Sequence, residues 1–482
     1  MRALRACAPL GLLAALGVCA ALAGCTVGPA YHRPQVAMPS AYAQAASPPT
    51  ATATATGSAS AAAATLSRWW DRFNDPTLSA LIDHALANNL DLQAAASRVR
   101  EARLQEISTR AGEYPNVNAI ANAASVQSNR GSGSLIPSDL NFFAVGFDAT
   151  WEADLFGGTR RALEAAKADT QAATWARRDG EVSLTAEVAN DYLTLRALQA
   201  RIALGHSEIQ HEQRMFGLIR ARRQAGFVTQ LDVNRQTGAV ASAAAQIPAL
   251  QADAKAEIHA LGVLLGETPE ALQKRLAIAA PIPPAPPSLP SGLPSELLRR
   301  RPDIREAERR VAASNARIGE QLANLYPRLN LIGLGAFAGT ALQSLFSSDN
   351  LIGAAVGMAA QPLFDGGRRH AAVDIAREQT AQAVLAYRTT VLGAVRDVED
   401  ALSRYASEQT RHAALARALV AAKNSQTIAQ DEYHTGFVTF IDVLQAQNTL
   451  LAIEDQVTQS DALLLTDLVA LYKALGGGWS AS

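Results

Sequence analysis

Two stretches of the chain have the residue pattern of very long helices. They run from about 159 to 225 and from about 368 to 435, without proline and with little glycine. In the second stretch, apolar or aromatic residues recur at intervals of seven, at Val384, Val391, Val398 and Tyr405. A seven-residue repeat makes helices coil around one another. At 1.5 Å per residue, about 66 residues of helix would span about 100 Å.

Shorter segments alternate with a period of two. Bulky residues at 143, 145, 147, 149 and 151 alternate with small or polar residues at 144, 146, 148 and 150. This pattern predicts a β-strand with two different faces. A second strand is predicted at 352–359, where both faces are apolar or small. Two more strands are predicted near 116–128 and 328–339.

The chain repeats itself. The segment GFVTQLDV begins at Gly226, and GFVTFIDV begins at Gly436. Three further matches occur in the same order on both sides of residue 280, and they are Asn89-Leu90-Asp91-Leu92 with Arg301-Pro302-Asp303-Ile304, Tyr114-Pro115 with Tyr326-Pro327, and Leu155-Phe156 with Leu363-Phe364. The chain is therefore an internal duplication, and each copy is predicted to contain a helix, two strands, a very long helix, a turn and another helix.

Each GFVT segment has the chemistry of a turn between two helices. A glycine after a helix accepts the left-handed conformation that ends it. A threonine three residues later can cap the next helix, and an aspartate three residues beyond it would approximate a capping box. These residues are Gly226, Thr229 and Asp232 in the first copy, and Gly436, Thr439 and Asp442 in the second.

The N-terminus resembles a bacterial lipoprotein signal. Arg2 and Arg5 precede an apolar run at 8–23, and Leu22-Ala23-Gly24-Cys25 closes it. This form predicts a signal peptide at 1–24, and the run is too short for a membrane-spanning helix. Cys25 would then become a lipid-carrying N-terminus.

Composition divides the rest of the chain into four parts. Residues 25–66 are rich in Ala, Pro, Ser and Thr and are predicted to be a tether. A proline-rich crossover at 278–294 separates the first repeat, 67–277, from the second, 295–482.

Charge and chemistry exclude several functions. The formal net charge of −1 becomes −3 without the signal peptide, which argues against a nucleic-acid partner. Cys7 and Cys19 lie in the signal peptide, so no disulfide can form within the mature chain. The histidines lack metal-ligand spacing, since His211-Glu212 has no second histidine at the required place. The sequence therefore predicts no metal, no cofactor and no enzyme activity.

The motifs together resemble a known family. They are Cys25-Thr26-Val27-Gly28-Pro29 with Tyr31 and Arg33-Pro34, Arg68-Trp69-Trp70-Asp71 with Phe73 and Asp75-Pro76, Arg301-Pro302-Asp303-Ile304, and the two GFVT turns. This set is similar to the outer-membrane efflux proteins, the TolC and OprM type channels, and most similar to their NodT-like lipoprotein branch. The resemblance implies a mainly α fold with a small β part. Three chains would form one conduit, in which four strands from each close a twelve-stranded outer-membrane barrel and the long helices continue it as a periplasmic tunnel.

The resemblance also implies a function and partners. The chain would be the passive outer-membrane duct of a tripartite efflux system, acting as a homotrimer with a periplasmic adaptor and an inner-membrane transporter, of which a proton-driven one is expected. By the same resemblance, an aspartate directly after Cys25 would favour retention in the inner membrane. Thr26 occupies that position instead, so the chain is expected to be lipid-anchored in the outer membrane. The alternative is a trimeric coiled-coil lipoprotein with a structural or adhesive role. The two-faced strand at 143–151 favours the duct.

Two groups of candidate site residues follow from these expectations. The resemblance places the turn residues at the periplasmic aperture, with Asp442 facing the tunnel axis and Gln445 standing where TolC members carry a second acid. Those residues are Gly226, Thr229, Asp232, Gly436, Thr439, Asp442 and Gln445. A second group is predicted at the membrane boundary, and it consists of Trp151, Arg160, Arg161, Arg368 and Arg369. Its arginines would either meet lipid phosphates or lie on the solvated surface, with their charges balanced by nearby acidic residues.

Overall fold

The computed structural model describes residues 26–36, 66–126, 140–286 and 300–479. The predictions for the signal peptide at 1–24, for Cys25, for most of the tether and for part of the crossover lie outside the described residues. Within the described residues, no helix has the length and hydropathy of a membrane span.

The fold consists mainly of helices, with a small sheet. In chain order the helices are α1 (Pro76–Asn88), α2 (Leu90–Ala111), α3 (Gly158–Gln224), α4 (Gln230–Leu264), α5 (Gln273–Leu276), α6 (Pro302–Ala323), α7 (Arg368–Thr435) and α8 (Phe440–Ala474). The strands are β1 (Asn116–Val126), β2 (Leu140–Ala153), β3 (Arg328–Gly339) and β4 (Leu351–Ala360).

The chain divides into two compact units, each built from three segments. Unit 1 comprises Met1–Gln35, Arg98–Thr174 and Glu306–Arg388. Unit 2 comprises Val36–Ser97, Trp175–Arg305 and Thr389–Ser482. The helices α2, α3, α6 and α7 contribute residues to both units.

The duplication read from the sequence is present in the helices. α2 and α6 both have 22 residues, α3 and α7 have 67 and 68, and α4 and α8 both have 35. Equivalent contacts recur as well. The Asn89 side chain donates to the Leu264 carbonyl at 2.9 Å, and the Arg301 side chain donates to the Ala474 carbonyl at 2.9 Å. The prediction of a duplicated, mainly α chain is confirmed.

The seven-residue repeat becomes a buried stripe along α7. Val391, Val398 and Tyr405 are buried, as are Ala394 and Ala401 between them. Small residues at the second position of the repeat allow a neighbouring helix to approach closely. The heptad pattern therefore predicted the packed side of this helix correctly.

An aromatic cluster forms the centre of unit 2. Trp69 is fully buried, and its ring stacks on that of Tyr472 with 5.1 Å between the ring centroids. Trp70 and Phe73 meet Trp69 edge-on at 5.8 and 5.9 Å. The Gly478 amide donates to the Leu66 carbonyl at 2.9 Å. These contacts join the start of the first repeat to the C-terminal end of α8.

The four strands in unit 1 form one antiparallel sheet in the order β1-β2-β3-β4. Its central pairing joins the second strand of the first copy to the first strand of the second copy. Among the described residues, β1 pairs only with β2, and β4 pairs only with β3. The backbone groups at both outer edges are therefore open to a further strand.

Candidate functional site

The sheet in unit 1 has one face without charge. Because directly paired residues point to the same side of a sheet, the register assigns every odd-numbered strand residue to one face. The bulky members of this apolar face are Val117, Phe143, Val145, Phe147, Trp151, Leu329, Leu331, Phe337 and Leu351. Alanine and glycine fill nearly all its other positions, and Ser125 and Asn141 are its only polar residues. The apolar side that the sequence predicts for β2 thus continues across the whole sheet.

The opposite face carries all the charged residues of the sheet and most of its polar ones. Asp148, Glu152 and Arg328 lie on it, and the Asn118 side chain donates to the Asp148 carboxylate at 3.2 Å. Ile352, Val356 and Met358 of β4 also lie on this face, and only Leu351 among the large residues of β4 lies on the apolar one. The second copy thus does not repeat the side-chain pattern of the first, because the pairing register and not residue size decides which face a strand residue occupies.

The apolar face is open to its surroundings in the single chain. The Phe147 side chain is 63% exposed, and Val117 is 61% exposed. Trp151 is half-buried beside its register partner Leu331, close to the end of β2. A large exposed apolar surface is unusual for a protein surrounded by water, and it marks a contact with lipid or protein.

The four predicted boundary arginines differ in their environments. Arg160 is half-exposed and pairs with Asp154 at 3.3 Å, and the Arg160 amide donates to the same carboxylate at 3.0 Å. Arg369 is mostly buried and pairs with Asp365 at 2.9 Å. The Arg369 guanidinium holds the pKa of the Asp365 carboxyl below its ordinary value. Arg368 is exposed and makes no side-chain hydrogen bond or ion pair with any residue that the structure describes.

Arg161 holds the N-terminal segment. Its side chain is 11% exposed and donates to the Val27 and Gly28 carbonyls, both at 3.2 Å. The Val27 amide donates to the Phe156 carbonyl at 3.1 Å. Gly28, with φ of +103°, lies directly against Gly319 of α6. The first residues of the segment 26–36 are therefore packed against α3 and α6 within unit 1, whereas the sequence assigned them to a tether.

Further along this segment, Tyr31 makes contacts that the sequence did not predict, although Tyr31 and Arg33-Pro34 belong to the motif that carries the family resemblance. The Tyr31 hydroxyl donates to the Glu308 carboxylate at 3.2 Å, and Arg33 pairs with the same carboxylate at 3.3 Å. The Tyr31 ring packs against three buried alanines, Ala168, Ala312 and Ala313. Burial and the Glu308 charge raise the pKa of Tyr31 to about 12. The only sequence signal was the pair Tyr31 and Arg33-Pro34 within an otherwise Ala/Pro-rich stretch.

The two GFVT turns lie side by side in unit 2. Ile219, Tyr433, Phe440 and Val443 form one buried cluster, against which Val228 and Val438 of the two turns pack. The Arg222 guanidinium stacks over the Tyr433 ring at 4.2 Å. The structure thus brings the predicted aperture residues of both copies together around one small apolar core.

Each turn has the cap geometry that the sequence predicts. Gly226 and Gly436 have φ values of +84° and +86°, so the left-handed helix end is confirmed in both copies. Capping boxes join Thr229 to Asp232 and Thr439 to Asp442. The Asp442 carboxylate accepts hydrogen bonds from the Thr439 amide at 2.8 Å and hydroxyl at 2.6 Å.

These hydrogen bonds keep the cap aspartates ionised. The Thr439 hydroxyl and amide hold the pKa of the Asp442 carboxyl below its ordinary value, and Thr229 does the same for Asp232. Asp232 also lies 3.9 Å from Arg235, whereas Asp442 has no such cation among its pKa-shifting neighbours. The carboxylate of Asp442 is therefore the less compensated of the two. Gln445, three residues further on, is exposed.

The tips of the turns expose large apolar side chains. Phe227 is 81% exposed and Phe437 is 84% exposed, although both follow the glycine that ends a helix. Leu231 and Ile441 are 56% and 42% exposed in the first turn of the following helices. Each of the two turns therefore presents exposed apolar groups outside the small core that joins them.

Comparisons with known proteins agree on one family. A family model described as outer membrane efflux protein matches residues 81–267 and 293–477. The chain is 34% identical over 421 residues to the pyoverdine export outer membrane protein OpmQ of Pseudomonas putida, covering 86% of this chain and 88% of that protein. It is 28% identical over 469 residues to nodulation protein T of Rhizobium leguminosarum bv. viciae, covering 95% and 92%. The solved structure of the outer-membrane channel OprN matches with a TM-score of 0.87 and 34% identity, over 94% of this chain and 100% of that one.

Proposed function

This chain belongs to the outer membrane efflux protein family, and from that premise we propose that three copies of it form the passive outer-membrane duct of a tripartite efflux system. The duct meets a periplasmic adaptor and receives cargo from an inner-membrane transporter, for which a proton-driven pump is the expected type. The relatives are named for pyoverdine export and for nodulation, so the proposal assigns no particular cargo.

The observation that carries this proposal is the sheet. One face has no charged residue, and both edges lack a partner strand in the described chain. In hydrocarbon each unpaired backbone group costs several kcal/mol, so a spanning sheet must close on itself. Four strands are too few to close alone, because single-chain bacterial barrels start at eight. Pairing between β4 of one copy and β1 of the next would remove every edge, and three copies give the twelve strands expected of this family.

The copy number can be tested directly. The mature protein, purified from outer membranes in mild detergent, is expected to have three times the mass of one chain by light scattering with the detergent contribution subtracted. A homogeneous monomer or dimer that retains native secondary structure would refute the proposal.

We also propose that the paired turns contact the adaptor. Phe227 and Phe437 remain more than four-fifths exposed, and their burial against a partner would be favourable by about 25 cal/mol per Å² of apolar surface removed from water. A photo-crosslinking residue at Phe227 or Phe437 is expected to capture a membrane-fusion adaptor in cells. Val420, an exposed apolar residue on α7, is the matched control position. Equal capture from all three positions would contradict the proposal.

Lipid attachment at Cys25 completes the proposal. Its support is the fixed path of residues 26–36, which leads back to the junction of β2 and α3, where Thr26 lies against Gly157. A single acyl chain binds membranes only marginally, so several chains would be needed for firm anchoring. Replacement of Cys25 by Ser, with export driven by a non-lipoprotein signal, is expected to abolish incorporation of labelled fatty acid. Undiminished labelling would show that the lipid is elsewhere.

A further inference from the structure

The dipeptide Leu-Phe follows the second strand of each copy, but the two phenylalanines have different environments. Phe156, after β2, is half-buried and stacks on Tyr326 with 4.6 Å between ring centroids and 17° between ring planes. Tyr326 lies just before β3. This aromatic pair therefore joins the two copies at the same end of the sheet where β2 pairs with β3.

The equivalent residues of the other copy are exposed. Phe364 follows β4 and is 91% exposed, and Leu363 beside it is 96% exposed. Tyr114 precedes β1 and is 65% exposed. Within the described part of the chain, neither ring stacks on another aromatic ring. Phe364 is the repeat equivalent of Phe156, and Tyr114 is the repeat equivalent of Tyr326.

The sheet order explains why this second pair is not made within one chain. Antiparallel pairing of β2 with β3 places the end of β2 beside the start of β3. The strands left unpaired are β4 and β1, at opposite edges of the sheet. When β4 of one copy pairs antiparallel with β1 of the next, the end of β4 lies beside the start of the neighbour's β1. The residues that follow and precede these strands are Phe364 and Tyr114.

We propose that Phe364 of each copy stacks on Tyr114 of the neighbouring copy, forming an aromatic seam between subunits that repeats the Phe156–Tyr326 contact. The proposal rests on the proposed trimer and names the residues of its interface. The first site has one further contact, in which the Val27 amide donates to the Phe156 carbonyl. That hydrogen bond is made by the backbone of Phe156, whereas the stack on Tyr326 is made by its ring. Offset aromatic stacking adds to area burial and has a defined geometry, so the seam would help to fix which strands pair.

Cysteine pairs can detect this seam in the intact protein. Cys7 and Cys19 lie in the signal segment, so an introduced pair would meet only Cys25, whose thiol carries lipid in the proposal. The Tyr114→Cys/Phe364→Cys variant, treated in membranes with a short bifunctional thiol reagent, is expected to give linked dimers and trimers as the main products. Each single variant should remain monomeric in denaturing gels.

Two control pairs decide the interpretation. The Leu104→Cys/Phe364→Cys variant places a cysteine at a position of equal exposure, 65%, but ten residues earlier along the chain, about 15 Å away along the helix. This variant is expected to give at least tenfold less linked dimer and trimer than the Tyr114→Cys/Phe364→Cys variant. The Phe156→Cys/Tyr326→Cys variant should link within one chain without changing the mass, which verifies that the geometry of the stack permits the reaction.

The outcomes separate this inference from the trimer itself. If the protein has the mass of a trimer before treatment but the Tyr114/Phe364 pair links no better than the Leu104/Phe364 pair, the seam is wrong and the trimer stands. Phe364 would then lie in lipid, and a bilayer-resident quencher would reach a probe at this position. If the protein is monomeric before treatment, both the seam and the proposed function are refuted.

Discussion

The replacement Gly28→Ala should detach the N-terminal segment around Gly28 from the rest of unit 1. Gly28 has φ of +103°, and a Cβ at this position would lie 2.5 Å from the Gly319 Cα and 3.2 Å from the Gly319 amide nitrogen. Favourable carbon–carbon contacts require about 3.5–4.0 Å. Both obstructing atoms belong to the backbone of α6, so no side-chain rotation can relieve the contact. The segment must move away.

The size of the effect follows from the contacts at Gly28. Backbone strain of a non-glycine residue in this conformation costs about 1–3 kcal/mol. Since about 1.4 kcal/mol is a factor of ten, strain alone should increase the opening of the segment by about 5- to 140-fold. The steric contact adds to this value, and opening breaks the bonds from Arg161 to the Val27 and Gly28 carbonyls.

Amide hydrogen exchange measures this opening at the Val27 amide, which donates to the Phe156 carbonyl in the closed state. The Gly28→Ala variant is expected to exchange at least fivefold faster at this amide, while amides in the middle of α3 keep their protection. Gly393→Ala is the matched control, because a Cβ there meets nothing within 4 Å. Unchanged protection at Val27 in the Gly28→Ala variant would refute the clamped path of the segment.

Three further predictions concern the core, the turns and the membrane boundary. Trp69→Ala should destabilise unit 2 by about 3–5 kcal/mol in urea unfolding, because the indole is fully buried and stacked; a loss below about 1 kcal/mol would contradict the packing. In single-channel recordings, Asp442→Asn should lower cation selectivity and divalent-cation block more than Asp232→Asn does, since carboxylates from several chains crowded at the axis attract cations. Equal effects of the two variants would leave capping as the only role of Asp442. Arg368→Gln should slow assembly in anionic bilayers more than in neutral bilayers. Arg369→Gln should change the assembly rate equally in the two kinds of bilayer, because its guanidinium is already bonded within the chain. The same lipid dependence for both variants would contradict this distinction.

Local rules predicted the elements of this fold well. The glycines at 226 and 436 end helices because the left-handed conformation is cheap only for glycine, and the sequence shows this directly. The buried stripe on α7 follows from apolar spacing alone. The alternation in β2 likewise predicted the apolar face that carries Phe147. Each of these features depends on residues close together in sequence.

Features that depend on distant partners could not be read from the sequence. Residues 26–36 contain two prolines and no apolar periodicity, and only the positions of the distant Arg161 and Gly319 make the start of this segment packed. Ile352, Val356 and Met358 of β4 point to the polar face because of the strand register, which pattern alone does not fix. Phe156 and Phe364 both follow a leucine and precede a pair of glycines, and their different environments arise from which strands pair within one chain. The arginines at 161 and 368 likewise look alike in sequence and differ in burial.

Single-channel recording in a planar lipid bilayer tests the duct most directly. The purified mature protein, added without ATP or any ion gradient beyond the applied voltage, is expected to insert and give current steps of uniform size. These steps should appear only with fractions that have the mass of the trimer. A structural or adhesive lipoprotein would bind the same bilayer without conducting. Trimeric protein that is embedded in the bilayer yet carries no current, in the wild type and in the Asp442→Asn variant alike, would contradict the account.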